Sequence, residues 1–185
     1  DSALHDAYAW ALMSSDEGMA LIRSSEQRYR AKYELRRQNE FGGAELCRRL
    51  GDGEYRFPFL IYKEYVSGGT NLSMANEGFS HPCTLAVANG VGMVRLHPVD
   101  LSARSQMTGR EMNGRVRRLM YLDGSAFAPA YDDGSTISFP ARTLHFLNIG
   151  SGVGQILHGS VCLRMQCSVG TKHMPESTAI FTILI

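Results

Sequence analysis

The chain has 185 residues, a length that suffices for one domain with a full hydrophobic core. Hydrophobic residues make up 44% of the sequence and charged residues 20%, which excludes a wholly disordered chain. The formal net charge of +1 excludes a global field that would drive the chain to nucleic acid or to an anionic membrane. No window approaches the roughly 20 consecutive apolar residues of a membrane-spanning helix, so we expect no membrane span.

The first fifty residues show the spacing of helices. Apolar residues recur at helical intervals over residues 2–13, which predicts a first helix. Ser14, followed three residues later by Glu17, has the form of a capping box and predicts a second helix that ends at Gly42. Residues 44–50 are predicted to add a short helical turn.

The segment Gly51-Asp52-Gly53 marks the boundary between this helical region and the rest of the chain. We therefore predict a helical N-terminal segment, residues 1–52, and an antiparallel β-sandwich domain, residues 53–185. The first strand of that domain is predicted over residues 55–66, where Pro58 indicates an edge position or a bulge.

Short turn sequences divide the middle of the chain. Asn89-Gly90 and Asp123-Gly124 each stand between apolar runs and predict two β-hairpins. Residues 98–114 between them are polar and predict an exposed loop. The segment Asp132-Asp133-Gly134 primarily predicts a turn, although two adjacent carboxylates are also typical of general acid–base catalysis.

The C-terminal third contains four apolar runs, which predict strands over residues 136–139, 143–149, 155–169 and 178–185. The last run is too apolar to stand exposed, so we predict a central strand or an edge covered by another subunit. The predicted core residues on these strands are Leu144, Phe146, Val161, Leu163, Ile180 and Ile183. The fold class that follows is α+β, mainly β: an antiparallel β-sandwich or jelly-roll-like body preceded by helices.

A glycine-rich string, His145 to Gln155, carries Gly150, Gly152 and Gly154. It resembles the first motif of S-adenosylmethionine-dependent methyltransferases, and its residue sequence is particularly similar to that motif in the non-SET histone lysine methyltransferases. The resemblance implies a strand, a tight turn and a helix N-terminus, with the three glycines against the cofactor. The residues alone favour a hairpin loop between two strands.

A second resemblance concerns the ends of the β region. Residues 152–164 with 177–185 are similar to the last two strands of tumour-necrosis-factor-type jelly rolls, and residues 53–57 are similar to that family's G-x-Y-x-F strand. This resemblance implies a trimeric, extracellular binding module, and with it a disulfide such as Cys162–Cys167.

The cysteines and histidines give no catalytic or metal signature. Four cysteines without a C-x-x-C pair favour a reduced compartment, hence an intracellular, viral or organellar location over secretion. No Cys or His pair has zinc spacing, so we expect no metal. A nucleophilic pair of Cys83 with His145 or His158 stays open, because catalytic partners meet in space. We predict no catalytic residue and no cofactor, and we favour a protein that is not an enzyme.

Arginines cluster in two segments of a nearly neutral chain. Arginine makes two-pronged contacts with phosphates and carboxylates. We therefore predict that the following residues contact nucleic acid or a neighbouring subunit: Arg28, Arg30, Arg36, Arg37, Arg110, Arg115, Arg117 and Arg118.

These observations favour a non-enzymatic structural subunit of a larger assembly, either capsid-like or organellar. Such a subunit forms homo- or hetero-oligomers, and its arginines contact RNA or DNA phosphates or neighbouring subunits. The alternatives are a methyltransferase-like domain that uses residues 146–155 and a trimeric, cytokine-like jelly-roll module.

Overall fold

A computed structural model describes residue 11 and residues 14–65, 69, 71–104, 111–170, 172–173 and 175–185. The helix predicted over residues 2–13 lies outside these residues, apart from residue 11. The described helices are α1 (Asp16–Leu35) and α2 (Gly43–Leu50), with short 3-10 turns at Met74–Gly78, Ala141–Thr143 and Gly152–Gly154. The described strands are β1 (Glu40–Gly42), β2 (Gly53–Phe57), β3 (Phe59–Lys63), β4 (Cys83–Ala88), β5 (Val91–Leu96), β6 (Leu101–Arg104), β7 (Glu111–Asp123), β8 (Ala126–Pro129), β9 (Tyr131–Asp132), β10 (Ile137–Pro140), β11 (His145–Ile149), β12 (Ile156–Val169), β13 (Lys172–His173) and β14 (Ser177–Leu184).

The larger of the two antiparallel sheets is built around β12. In the described part of the chain its order is β1-β11-β12-β14-β3, and β7, with β6 and β8 beside it, also pairs with β12. The strand is long enough for β11 to pair with its first half and β7 with its second half on the same edge. The last strand, β14, lies between β12 and β3, so the prediction of a central strand at the end of the sequence is confirmed.

The smaller sheet has the order β2-β4-β5-β10-β9. It faces the larger sheet through buried aromatic rings: Phe139 of β10 meets Phe181 of β14 edge-on at 5.3 Å between ring centroids. Tyr121 of β7 lies 6.0 Å from Phe139, and Phe59 of β3 lies 5.2 Å from Phe181. The prediction of a β-rich, sandwich-like fold with helices before it is therefore confirmed.

Helix α1 begins one residue later than the capping box predicts. The cap is Ser15, whose hydroxyl accepts a hydrogen bond of 2.9 Å from the Gly18 amide. The helix ends at Leu35 and does not continue to Gly42, because the chain first makes the short strand β1 against β11. The short helix predicted over residues 44–50 is confirmed as α2.

Helix α2 packs closely against the sheets because glycines lie at the points of contact. The Gly43 amide donates to the Leu144 carbonyl at 2.9 Å, and a Cβ at Gly43 would stand 1.7 Å from the Ala141 carbonyl oxygen. Across the interface, a Cβ at Gly92 of β5 would stand 2.2 Å from the Cys47 sulfur. Side chains of both helices are part of the same core as those of the sheets. The division of the chain into a helical segment, residues 1–52, and a sandwich domain, residues 53–185, stays a prediction.

Three predictions of strand positions need correction. Residues 55–66 are not one strand, since Pro58 separates β2 of the smaller sheet from β3 of the larger sheet; both strands stand at an end of their sheet's order, so the edge position predicted for Pro58 is confirmed and the bulge is not. Residues 98–114 are not one loop, since β6 and the start of β7 pair there, while residues 105–110 lie outside the described part. The Asn89-Gly90 hairpin is confirmed with both φ angles positive, whereas the second hairpin turns at Gly124-Ser125, one residue later than predicted.

The predicted core residues are buried, with one exception. Ile180 is only half-buried and lies on the outer face of the larger sheet, because Ala179, Phe181 and Ile183 occupy the inward positions of β14. Among the described helices, none combines the length and apolar character that a bilayer crossing requires.

The close contact between Gly43 of α2 and the backbone of Ala141 gives a first prediction. Gly43→Ala should lower the free energy of unfolding by roughly 1–3 kcal/mol, because the new methyl group meets a backbone carbonyl that cannot rotate away. The matched control is Gly42→Ala, where no atom lies within 4 Å of the added Cβ. Chemical denaturation of both variants measures the difference, and equal stability of the two would show that the helix is not seated this closely.

Candidate ligand-binding site

The first arginine cluster lies on α1 and on the two residues that follow it, and it is largely engaged with aromatic rings of the same chain. The Arg28 guanidinium lies 4.6 Å from the centre of the Phe57 ring, and burial lowers the pKa of Arg28. Arg36 and Arg37 both lie over the ring of Tyr33, at 4.3 and 5.4 Å. Arg30 of the same cluster is exposed.

The second arginine cluster lies on β7, with Arg110 outside the described residues. Arg115 lies 3.8 Å from the Asp100 carboxylate, and the Arg117 Nε donates to the Ser168 hydroxyl at 2.8 Å. Arg117 is the extra residue where the register between β7 and β12 shifts, so Arg117 and Arg118 are both exposed. Helix α1 packs mainly against α2 and β2, whereas β7 packs mainly against β12, β6 and β8.

The glycine-rich string forms a turn between two antiparallel strands. Gly150 and Gly152 have φ angles of +87° and +64°, and Gly152–Gly154 is a single 3-10 turn from β11 into β12. The helix N-terminus that a methyltransferase motif requires is a strand here, so that alternative is wrong. The turn and α1 do meet, since Arg36 and Gly152 line one groove of about 250 Å³ and Gln155 donates to the Arg36 carbonyl at 3.0 Å.

The cysteines and histidines do not assemble a reactive site in the described residues. All four thiols are free, which corrects the disulfide implied by the cytokine-like resemblance. Burial raises the pKa of Cys83 to about 12, and its thiol donates to the Phe57 carbonyl, while His145 pairs instead with Glu40 at 3.1 Å. The described part of the chain holds no group of three or more possible metal ligands.

The outer face of the larger sheet carries a half-buried apolar row that sequence reasoning missed. The row is Tyr62 on β3, Ile180 on β14 and Cys162 on β12, in register across three neighbouring strands. Leu60 flanks the row on the same face, opposite Thr182. The available signal was the run of residues 59–62, in which no polar residue alternates and both faces of the strand are therefore apolar or aromatic.

An edge segment, residues 71–78, borders this row along β3. The Lys63 amide donates to the Asn71 carbonyl and the Ser73 amide donates to the Ile61 carbonyl, both at 2.8 Å. The Ile61 amide in turn donates to the buried Asn76 side chain at 3.0 Å. Met74 therefore lies on a 3-10 turn that is attached to the edge of β3, and 69% of its surface is exposed.

The attachment of the edge segment gives a second prediction. Asn76→Ala should lower the free energy of unfolding by roughly 1–3 kcal/mol, since the buried Ile61 amide loses its acceptor. Asn71→Ala is the control, because Asn71 contacts β3 through its backbone carbonyl. Urea denaturation of the two variants tests this, and an unchanged Asn76 variant would refute the attachment.

Thiol accessibility gives a third prediction. Burial raises the pKa of Cys47 to about 11 and that of Cys83 to about 12, so these thiols should resist alkylation in the folded protein. Cys162 and Cys167 are half-buried and should react more readily. Mass spectrometry after brief alkylation should find two labelled thiols when folded and four in concentrated guanidinium chloride; rapid labelling of Cys83 would contradict the structure.

No family model and no curated protein matches this chain. Solved structures that match include two of the NEAT5 domain of the B. anthracis hemophore IsdX2 in complex with heme, one of them a point mutant. Each is 13% identical, with a TM-score of 0.46, and covers 72% of this chain and 95% or 96% of the matched chain. At this level the likeness transfers no ligand to this chain.

The matches nonetheless correct the predicted function and partners. The prediction of a capsid-like or organellar assembly subunit with nucleic-acid or subunit partners is wrong, since the matched structures are heme-bound domains of a hemophore. The structure supplies a physical reason for part of the error: several of the clustered guanidinium groups lie on aromatic rings of their own chain. Contacts to an unspecified partner through these arginines stay an untested prediction.

Proposed function

We propose that the chain is a ligand-binding domain and that it holds heme on the outer face of the larger sheet, beside the edge segment. The observation that carries the proposal is the half-buried row of Tyr62, Ile180 and Cys162, bordered by the exposed Met74. A row that crosses three strands spans roughly 10 Å, which suits the width of a flat macrocycle. The jelly-roll-like winding of the strands also stays a proposal, and the site needs only the larger sheet and its edge segment.

The side chains at this face include types that ligate heme iron. A phenol, a thiol and a thioether are all found as axial ligands of heme, and Tyr62, Cys162 and Met74 supply them. Burial, and secondarily the charge of Glu64, raises the pKa of Cys162, which disfavours the thiolate that iron requires. Tyr62 and Met74 are therefore the better candidates for the iron ligand.

The rest of the face supplies apolar contact and positive charge. Leu60 and Ile180 present aliphatic surface to a flat ring, whose burial stabilises the complex by roughly 25 cal/mol per Å². Arg164 of β12, two residues from Cys162 and therefore on the same face, lies over the Phe127 ring at 4.2 Å. This cation suits a carboxylate of heme.

Heme titration tests the proposal. We expect the purified chain to bind hemin with a saturable change of the Soret band, and Tyr62→Phe or Met74→Leu to weaken binding by about tenfold or more or to change the band. Tyr29→Phe is the matched control, because Tyr29 is an exposed tyrosine on α1. Ile180→Asp should weaken both hemin and iron-free protoporphyrin, since it removes apolar contact from the middle of the row.

Some outcomes of the hemin titration would contradict the proposal. Absence of saturable hemin binding would refute the proposal, as would hemin binding that is unchanged in the Tyr62, Met74 and Ile180 variants while these remain folded by circular dichroism. Binding of protoporphyrin that is as tight as that of hemin would retain the face and remove the iron ligand.

A further inference from the structure

The outer face of the smaller sheet presents a polar row of a different chemistry. Cross-strand pairs join Arg56 to Thr84, Thr84 to Arg95, Arg95 to Ser138 and Ser138 to Tyr131, so these residues form one line across all five strands. The line runs along a depression of about 580 Å³. Four strand spacings make the row roughly 19 Å long, enough for several linked sugar rings.

The charges along this row leave one guanidinium uncompensated. Arg95 pairs with Glu54 at 3.0 Å. The Asp133 carboxylate, which also lines the depression, accepts hydrogen bonds from the amides and hydroxyls of Ser135 and Thr136, and these hold its pKa well below the usual range. No carboxylate among the described residues reaches Arg56, so the groove offers a cation to an anionic group.

A second, smaller groove continues the first one towards α1. It holds about 340 Å³ and shares Glu54 and Arg56 with the larger depression. Arg28 of α1 lines it, and this guanidinium is held in place on the Phe57 ring. The second groove lengthens the polar surface and adds the Arg28 cation together with the Glu17 carboxylate.

The kind of ligand follows from which groups are available. On the face of a sheet the backbone donors and acceptors are used by the neighbouring strands, so a ligand meets side chains only. These are hydroxyls at Thr84 and Ser138, a guanidinium at Arg56, and the ring of Tyr131, which is 69% exposed. An extended acidic peptide would seek free backbone at a sheet edge, whereas a hydroxyl-rich ligand meets complementary groups on the face.

We infer that this groove binds a carboxylated oligosaccharide, with the Arg56 guanidinium on a carboxylate and the Tyr131 ring against the face of a sugar. The Thr84 and Ser138 hydroxyls exchange hydrogen bonds with those of the ligand, although Ser138, at 6% exposure, offers only its tip. The site lies on the smaller sheet and does not depend on the heme proposal, which concerns the larger sheet.

Isothermal titration with a linear trimer of galacturonic acid tests the inference. The acidic trimer should bind and a neutral galactose trimer should bind at least about tenfold more weakly, because it lacks the charge-assisted hydrogen bond to Arg56. Arg56→Gln should weaken the acidic trimer by a similar factor, and Tyr131→Ala should weaken both trimers. Arg118→Gln on the larger sheet is the matched control and should leave binding unchanged.

Several outcomes would overturn the inference. It fails if the acidic trimer does not bind, or if Arg56→Gln, shown to be folded by an unchanged melting temperature, binds it as well as the original chain does. Binding of hexaglutamate more tightly than the acidic trimer would assign the groove to acidic peptides instead. Hemin titration of Arg56→Gln should be unaffected, which keeps this test separate from that of the heme site.

Discussion

The fold depends on the aromatic contact between the inner faces of the two sheets. Phe139 of the smaller sheet meets Phe181 of the larger sheet edge-on, and Tyr121 and Phe59 complete the group from β7 and β3. Such pairs stabilise a core by roughly 0.5–1.5 kcal/mol each beyond the apolar area that they bury. Because one ring, Phe181, belongs to the strand between β12 and β3, the contact also fixes the centre of the larger sheet.

A second constraint ties the helical region to the sheets. Gly43 and Gly92 stand where any side chain would collide with Ala141 or Cys47, so α2 approaches the 3-10 turn at Ala141–Thr143 and strand β5 at backbone distance. The helix is thereby part of the same core as the sheets. Arg28 of α1 adds a contact on the Phe57 ring, which explains why an arginine-rich helix is held against an aromatic strand.

The inner faces of the sheets are filled by the core, whereas the two outer faces carry partly exposed side chains that differ in chemistry. The larger sheet presents Tyr62, Ile180 and Cys162 in one apolar row, whereas the smaller sheet presents hydroxyls and guanidinium groups. The difference arises strand by strand. In β3 every residue from Phe59 to Tyr62 is apolar or aromatic, while in β2 the outward positions are charged. An apolar flat ligand suits the first face, and a hydroxyl-rich anionic ligand suits the second.

The sequence by itself determined what depends on neighbours along the chain. Alternating apolar residues, the turn at Asn89-Gly90 and the apolar end of the chain predicted the β-rich class, a hairpin and a central last strand. Only the tertiary structure decided which sheet each strand joins and which side of β14 faces the core. It also decided that Arg56, Thr84, Arg95 and Ser138 form one row across neighbouring strands. The reason is that local periodicity encodes alternation, whereas strand pairing joins residues far apart in sequence through contacts that no local pattern records.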